Sequence, residues 1–330
     1  MSNKIDTQIQ EDFENIFSNT WDVETSKQYL VDMYTNGETA QQIAAAASVM
    51  RDHSIKLPIS SSLKTQVVDN CGTGGDKSNS FNVSTTVSVL LSACGCKVAK
   101  HGNRSITSKS GSADMLEALG VNLDLDIDSQ VNMLEQTGFV FMFAVNHHPA
   151  MKYIMPIRKS LDHRTIFNIL GPLTNPADVQ KQLIGVFDKS FVTKIAQALK
   201  LIDTKKALVV SAADGMDEIS ISDITYATSL ENGELKDFTI DPRELGLSLY
   251  DKKDIEGGDA IQNAQTTKDI LSGNIIGAKL DIVLINTAAA LWVDGKVKNI
   301  KDGISMALDT INNGKAKQKL EEIIKVSNGI

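Results

Sequence analysis

Several scarcities narrow the field before any motif is read. Three cysteines in 330 residues cannot all pair, so a disulfide framework is excluded and reduced thiols are the simplest reading. Cys94-x-Cys96 lacks the further soft ligands a zinc site needs, which leaves buried apolar thiols as the expectation. Positive charge is also short: 33 Lys and Arg against 41 Asp and Glu give a formal charge of −8, which opposes nonspecific binding to nucleic acid. The longest uninterrupted apolar run, residues 139–145, falls well below the ~20 residues of a membrane-spanning helix. The opening Met1-Ser2-Asn3-Lys4-Ile5-Asp6 lacks the basic-then-apolar order of a secretory leader. A cytoplasmic protein without nucleic-acid or membrane partners is expected. No internal repeat or low-complexity tract is present.

What the chain does have is one stretch that the rest serves, residues 67–112: VVDNCGTGGDKSNSFNVSTTVSVLLSACGCKVAKHGNRSITSKSGS. Two glycine- and hydroxyl-rich loops flank a short helix, and each loop follows a strand-like run. In the first, Gly72-Thr73-Gly74-Gly75-Asp76, three glycines in four positions allow positive φ and close approach of backbone to a ligand. Val67 and Val68 read as the end of a buried strand. Asn82, Ser84 and Thr85 offer N-cap chemistry to an apolar helix ending near Gly95, so the loop meets a helix N-terminus, a natural anion site. The second loop, Lys100-His101-Gly102-Asn103-Arg104-Ser105 with its tail Thr107-Ser108-Lys109-Ser110-Gly111-Ser112, follows a short strand at 97–99. Ser110, Gly111 or Ser112 can cap the helix through Leu116 and Leu119. Phosphate suits both loops. Neither fits G-x-G-x-x-G or the Walker pattern, which argues against a nucleotide dehydrogenase or a P-loop ATPase. Cys71 adjoins the first loop and is open to modification by position alone.

Apolar residues recur at helical spacing in 9–17, 23–34 and 40–50, until Pro58 and Ser60-Ser61-Ser62 break the pattern as a linker. Beyond it, strand-like runs at 97–99, 139–144, 182–187 and 207–211 are followed by polar-alternating runs at 218–224 and 235–240. Helical runs fall at 191–201, 261–271, 282–292, 304–311 and 316–326, and the charged, glycine-bearing 241–258 reads as surface connection. Such alternation predicts an α/β protein with a mainly parallel central sheet, divided into a small helical domain, 1–63, and a large α/β domain, 64–330.

GTGGD followed by F-N-V-S-T, then KHGNRS with SKSGSAD, resembles the anthranilate phosphoribosyltransferase family. The likeness continues in order through His148-Pro149-Ala150-Met151, Ile157-Arg158-Lys159, Arg164-Thr165-Ile166-Phe167-Asn168, Leu170-Gly171-Pro172-Leu173-Thr174-Asn175-Pro176 and Asp217-Glu218, over nearly the whole chain. It implies a nucleoside-phosphorylase/phosphoribosyltransferase-like fold, in which a segment near 164–176 packs on the helical domain and that domain forms a homodimer. It further implies transfer of the phosphoribosyl group from phosphoribosyl pyrophosphate to anthranilate in tryptophan biosynthesis, and raises association with anthranilate synthase.

Carried onto matching positions, the resemblance gives phosphoribosyl pyrophosphate to Gly72, Gly75 and Asp76, then to Ser80, Asn82, Val83, Ser84 and Thr85. In the second loop it adds Lys100, His101, Gly102, Asn103, Arg104, Ser105, Ile106, Thr107, Ser108 and Ser112. Anthranilate falls to Gly72, Asn103 and Arg158, and Mg²⁺ to Ser84, Asp217 and Glu218. By residue type alone, paired carboxylates on an exposed turn are solvated charges and a helical arginine is a surface cation. The implied roles nonetheless suit them, since hard oxygen donors hold Mg²⁺ and a guanidinium fork recognises a carboxylate. Lys100 is expected to offset pyrophosphate charge, and His101 to position groups instead of acting as a general base. The chain departs from the family pattern at Val145, at Ser211-Ala212-Ala213 and within Leu161-Asp162-His163-Arg164-Thr165, which bears on substrate preference. Two rivals are a pyrimidine nucleoside phosphorylase-like enzyme of the same fold and a noncatalytic nucleic-acid-binding relative. The second is opposed by the negative charge and the intact Asp217-Glu218.

Overall fold

The computed structural model describes residues 4–104 and 109–330. Its strands are β1 Val67–Gly72, β2 Lys97–Gly102, β3 Phe139–Phe143, β4 Lys181–Gly185, β5 Lys206–Ala212, β6 Thr225–Glu231 and β7 Glu234–Ile240. They form one sheet in the order β3-β2-β1-β4-β5-β6-β7, parallel from β3 to β5 and antiparallel from β5 through β7. Both faces are covered, so the inner strands are apolar on each side. Successive residues accordingly enter opposite cores: Leu183 and Leu208 join one apolar cluster, Ile184 and Val209 the other. The β6–β7 hairpin turns at Asn232 and Gly233, both with positive φ (53° and 76°), as a two-residue hairpin loop requires.

The helices are α1 Thr7–Phe17, α2 Val23–Asn36, α3 Ala40–Asp52, α4 Ser61–Lys64, α5 Val83–Ala93, α6 Ser112–Leu119, α7 Ile127–Thr137, α8 Ala144–His147, α9 Met151–Lys159, α10 Val192–Leu201, α11 Ala260–Leu271, α12 Ala278–Asp294, α13 Ile300–Asn312 and α14 Lys315–Ser327. Local chemistry starts them: Asp6, Asp22 and Thr39 accept backbone N–H groups at the ends of α1, α2 and α3, and Gln42 completes a capping box with Thr39. On one face of the sheet α5, α6, α7 and α11 to α14 bury residues such as Leu90, Leu116, Met133, Ile270, Ile285 and Leu320. On the other, Phe13, Leu30 and Ile43 of the first three helices share a cluster with Ile157 of α9, Phe167, Leu173, α10 and the sheet itself. No described helix is long and apolar enough to cross a membrane.

Two local expectations are corrected and one element is added. Val67 and Val68 begin β1 instead of ending it. Residues 218–224 form turns and not a strand, because Ser222 N–H bonds the Ser220 hydroxyl, Ser220 N–H bonds Thr225 Oγ1 and Ile224 N–H bonds Asp223; local side-chain acceptors outcompete a ladder. Helix α7 was not anticipated, since its inward positions are Gln130, Met133, Leu134 and Thr137, half of them polar.

Candidate active site

The strand order reverses at β1, which has β2 on one side and β4 on the other. In open α/β sheets a crevice opens outside the carboxyl ends of the strands at such a point. Gly72 and Gly185 face each other there as a register pair, and the turn after β5 lies directly upon them. A Cβ on Gly72 would fall 2.4 Å from Asp217 Oδ2, so that glycine makes room for a carboxylate. The first loop then closes over the acid: Gly74 N–H donates to Asp217 Oδ2 at 2.6 Å, while Thr73 N–H donates to the Gly185 carbonyl at 2.9 Å. Gly74 and Gly75 hold φ of +69° and +74°, which a side chain would strain.

Asp217 and Glu218 are therefore half-buried and packed against glycine backbone, not on an exposed turn as the residue types suggested. Burial, followed by the nearby Asp76 charge, pushes the Asp217 carboxyl up to about 7. Burial and then Asp217 raise Glu218 well above the usual range, with Lys100 and the Ser84 amide pulling the other way. Such crowded oxygen donors call for a cation. Among the described residues no three or more His, Cys, Asp and Glu converge on a metal position, and a partial oxygen set fits Mg²⁺, which takes one or two carboxylates and leaves room for water and substrate phosphate.

Beneath the acids Lys100 is buried, its ammonium donating to the Asn70 carbonyl at 3.0 Å and to Ser84 Oγ at 3.3 Å. Its ammonium is thus spent on Asn70 and Ser84 beneath the acid pair. Val83 to Thr85 open α5 below the loop, and the buried Thr85 hydroxyl has no partner among the described residues. Asn82 caps no amide of this helix, contrary to the N-cap expectation. Its carboxamide is spent on Ser110, donating to the carbonyl at 3.2 Å and accepting from the hydroxyl at 3.1 Å, and it accepts from Asn263 at 2.9 Å. The first-turn amides of α5 thus keep no side-chain acceptor from Asn82. Likewise no side chain at 110–112 caps α6; Asp114 instead accepts the Gly111 N–H at 2.9 Å. Ser80 lies farther out, bonded to Ser78 and bridged to Glu256. Burial pushes the Cys71 thiol up to about 12, so the position beside the loop does not make it reactive.

His101 has no free nitrogen. Nδ1 lies 2.9 Å from Asp69 Oδ2 and Nε2 lies 2.6 Å from the Gly171 carbonyl. Both ring nitrogens are thus occupied by oxygen atoms of the protein itself. Asn175 completes the knot by donating to Asp69 at 2.8 Å and to the Ala99 carbonyl at 2.7 Å. Asp69 was missed by sequence reasoning, since nothing local marks a strand aspartate as the partner of a histidine in another strand, and Gly171 and Asn175 sit in a quoted motif that gave them no role.

Gly102 packs against Phe141 and Ser112, where a Cβ would meet atoms at 3.1 and 3.2 Å. The Arg104 guanidinium is engaged by Glu117 at 2.6 Å and Asp114 at 3.1 Å. Ser105, Ile106, Thr107 and Ser108 lie outside the described residues.

A cavity of about 560 Å³ opens beside this assembly, lined by His101, Asn103, Arg158, Gly171 and the apolar Met50, Met155 and Phe167. It brings together Asn103 and Arg158, which are 55 positions apart in sequence. Arg158 is half-buried, and among the described residues its guanidinium meets the Met155 sulfur at 3.9 Å. His148 adds a buried ring whose two nitrogens lack partners among the described residues. Burial, then the neighbouring His101 and His147, lowers it to about 3, so it is a neutral imidazole. It sits in a quoted motif, yet residue type gave it no role.

A sequence pattern described as "Glycosyl transferase family, a/b domain" matches residues 64–317. An anthranilate phosphoribosyltransferase of Dehalococcoides mccartyi is 48% identical over 304 residues, spanning 92% of this chain and 88% of that one. The chain belongs to the anthranilate phosphoribosyltransferase family. The crystal structure of the Thermus thermophilus anthranilate phosphoribosyltransferase superposes with a TM-score of 0.91 at 32% identity, over 99% of this chain and 96% of that one. That of the Saccharomyces cerevisiae anthranilate phosphoribosyltransferase, in complex with PRPP and Mg, gives 0.84 at 27% identity over 96% and 91%.

Proposed function

We propose that this chain transfers the phosphoribosyl group of phosphoribosyl pyrophosphate to anthranilate, giving N-(5-phosphoribosyl)anthranilate and pyrophosphate. The observation that carries the reading is one crevice with two chemistries: backbone amides and carboxylates on the β1–β4 side, and an apolar cavity on the β2–β3 side whose Arg158 meets only a thioether sulfur among the described residues, with His101 and Asn103 between them. The S. cerevisiae relative solved with PRPP and Mg supports the first half.

The reaction breaks the C1–O bond to pyrophosphate, forms C1–N to the amine and releases the amine proton. The nucleophile is an uncharged aromatic amine, so alignment and leaving-group stabilisation matter more than a strong base. Ser84, Asp217 and Glu218 would hold Mg²⁺, which when bound offsets pyrophosphate charge. With the Thr73 and Gly74 N–H groups given to Gly185 and Asp217, Gly75 and Asp76 are left to offer backbone N–H groups to phosphate, and Arg158 with Asn103 orients the anthranilate carboxylate. His101 ties β1, β2 and the 171–175 segment together, and with both nitrogens engaged it serves position instead of proton transfer.

We further infer a homodimer through the N-terminal helices, where Val23 and Tyr34 are exposed apolar residues on α2, with residues 1–63 and the 164–176 segment acting as one unit. A cytoplasmic location fits a biosynthetic enzyme with three free thiols. The test of function is loss of anthranilate fluorescence with phosphoribosyl pyrophosphate and Mg²⁺; no loss beyond a control without enzyme rejects it. Consumption of a pyrimidine nucleoside with free phosphate would favour the phosphorylase.

A further inference from the structure

We propose that Arg164 is a positioning residue that holds the first glycine loop in its phosphate-binding shape and so sets affinity for phosphoribosyl pyrophosphate without touching it. The inference rests on the function proposed above, and it assigns a role to the segment in which this chain departs from the family pattern.

The loop cannot hold itself. Gly74 and Gly75 take successive left-handed conformations and carry no side chain with which to fix them, so ordering the loop costs more entropy than ordering ordinary residues. Contacts from outside supply the order. On one side Asp217 takes the Gly74 N–H. On the other, Arg164 Nη2 donates to the Gly75 carbonyl. Because the peptide is planar and trans, with no cis bonds among the described residues, fixing that carbonyl also fixes the Asp76 N–H on the opposite side of the same plane. One arginine thereby orients a donor at the centre of the GTGGD motif.

The guanidinium is itself held. Its carbon lies 3.7 Å from the centroid of the Phe187 ring, a close cation–π stack, and Phe187 N–H donates to Thr73 Oγ1 at 3.3 Å. The loop and its tether thus rest on one short segment after β4. Behind Arg164, the His163 ring stacks on Tyr34 of α2 with centroids 3.9 Å apart and planes 17° apart. His163 Nδ1 lies 2.8 Å from the Arg164 carbonyl. The tether therefore runs from the N-terminal helices to the phosphate loop, and it starts six residues after Arg158, joining the two substrate sites through one stretch of chain. Preorganising a binding loop raises affinity by lowering the ordering cost of the bound state.

The experiment measures affinity for phosphoribosyl pyrophosphate with Mg²⁺ by calorimetry, alongside anthranilate kinetics, for wild type, Arg164→Ala, Arg164→Lys and Phe187→Leu. Arg164→Ala should weaken phosphoribosyl pyrophosphate about tenfold, the size of one lost charge-assisted bond. Arg164→Lys should fall between, since lysine can reach a carbonyl but not stack as a plane. Phe187→Leu should weaken binding in the same direction while leaving the guanidinium in place. In all three, kcat at saturating phosphoribosyl pyrophosphate and KM for anthranilate should stay within about twofold. Unchanged affinity in Arg164→Ala would make the residue a surface cation. Equal losses for both substrates, with a lowered Tm, would make it merely structural, and either result overturns the proposal. If wild type binds phosphoribosyl pyrophosphate yet fails to consume anthranilate, the proposed reaction fails instead, and the calorimetric comparison still decides Arg164.

Discussion

Gly185 and Asp217 occupy their places by mutual exclusion: a Cβ on Gly185 would lie 1.5 Å from the Asp217 carbonyl oxygen and 2.4 Å from its carbon. Gly185 has no positive φ, so its role is space and not conformation. Strand β4 ends in glycine because the backbone of the acid turn sits on it, and Gly72 across the register leaves room for the Asp217 side chain. The acid pair is therefore placed by what two strands lack.

Gly185→Ala should accordingly displace Asp217 and Glu218 together. A backbone atom cannot yield as a flexible side chain does, so a stability loss of ~1–3 kcal/mol is expected. Activity should fall by about tenfold or more, because misplacement of a charge-bearing group at the reacting centre is costly in rate. Thermal unfolding and the fluorescence assay measure the two effects. An alanine variant with normal Tm and normal rate would show that the turn moves freely.

The acid pair also predicts a pH dependence. Both carboxyls are raised, so folding favours their neutral forms. The sign follows: no cost exists below the ordinary carboxylate value of 3.8, a cost builds as pH rises toward about 7, and it is fully present above that. Asp217→Asn should then raise Tm more at pH 8 than at pH 4, while abolishing most activity. A metal binds the ionised acids, so apparent affinity for Mg²⁺ in the presence of phosphoribosyl pyrophosphate should weaken as pH falls through about 7. Calorimetry at pH 6 and pH 8 checks this; pH-independent affinity would mean that the acids are already ionised in the folded protein.

Why some of this was legible in the sequence and some was not has a physical reason. The glycines of the first loop announce themselves because positive φ at Gly74 and Gly75 is a local demand. Strands β2 to β5 and helices α12 to α14 show local periodicity that packing respects. The burial of Asp217, in contrast, depends on Gly185, 32 positions away, and no window around Asp217 records it. The two engaged nitrogens of His101 depend on Asp69 in a neighbouring strand and on a carbonyl at Gly171, and a carbonyl carries no residue signature at all. Asn82 looked like a helix cap by type, yet Asn263 and Ser110 compete for its carboxamide. The hairpin at Asn232-Gly233 was locally legible and overlooked.

His101 can be tested as a scaffold against a general base. Asp69 is fully buried and would lose the ring as a hydrogen-bond partner in His101→Ala, keeping Asn175, which should cost ~1–3 kcal/mol as a buried polar group left short of a bond. His101→Gln keeps a donor and should recover part of that loss. If the residue is a scaffold, whatever activity survives should keep the wild-type shape of its pH–rate profile. A lost limb of the profile with an unchanged Tm would instead identify a general base.

Arg158 is weighed last, as an anchor for the substrate carboxylate against an ordinary helical cation. Its guanidinium is half-buried in the cavity wall, desolvation lowers its pKa, and it meets a thioether sulfur at 3.9 Å, a weak acceptor. A half-buried cation with so poor a partner among the described residues is free to take a carboxylate that arrives. Planar two-point recognition cannot be copied by an ammonium, so Arg158→Lys and Arg158→Ala should both weaken anthranilate binding, by ~1–3 kcal/mol for a charge-assisted bond. In the proposed reading phosphoribosyl pyrophosphate lies at the glycine loop and the acid pair, away from Arg158, so its affinity should hardly change. Calorimetry with each substrate separates the readings: equal losses for both, or none for either, would remove Arg158 from the site and leave Asn103 to carry the anthranilate contact alone.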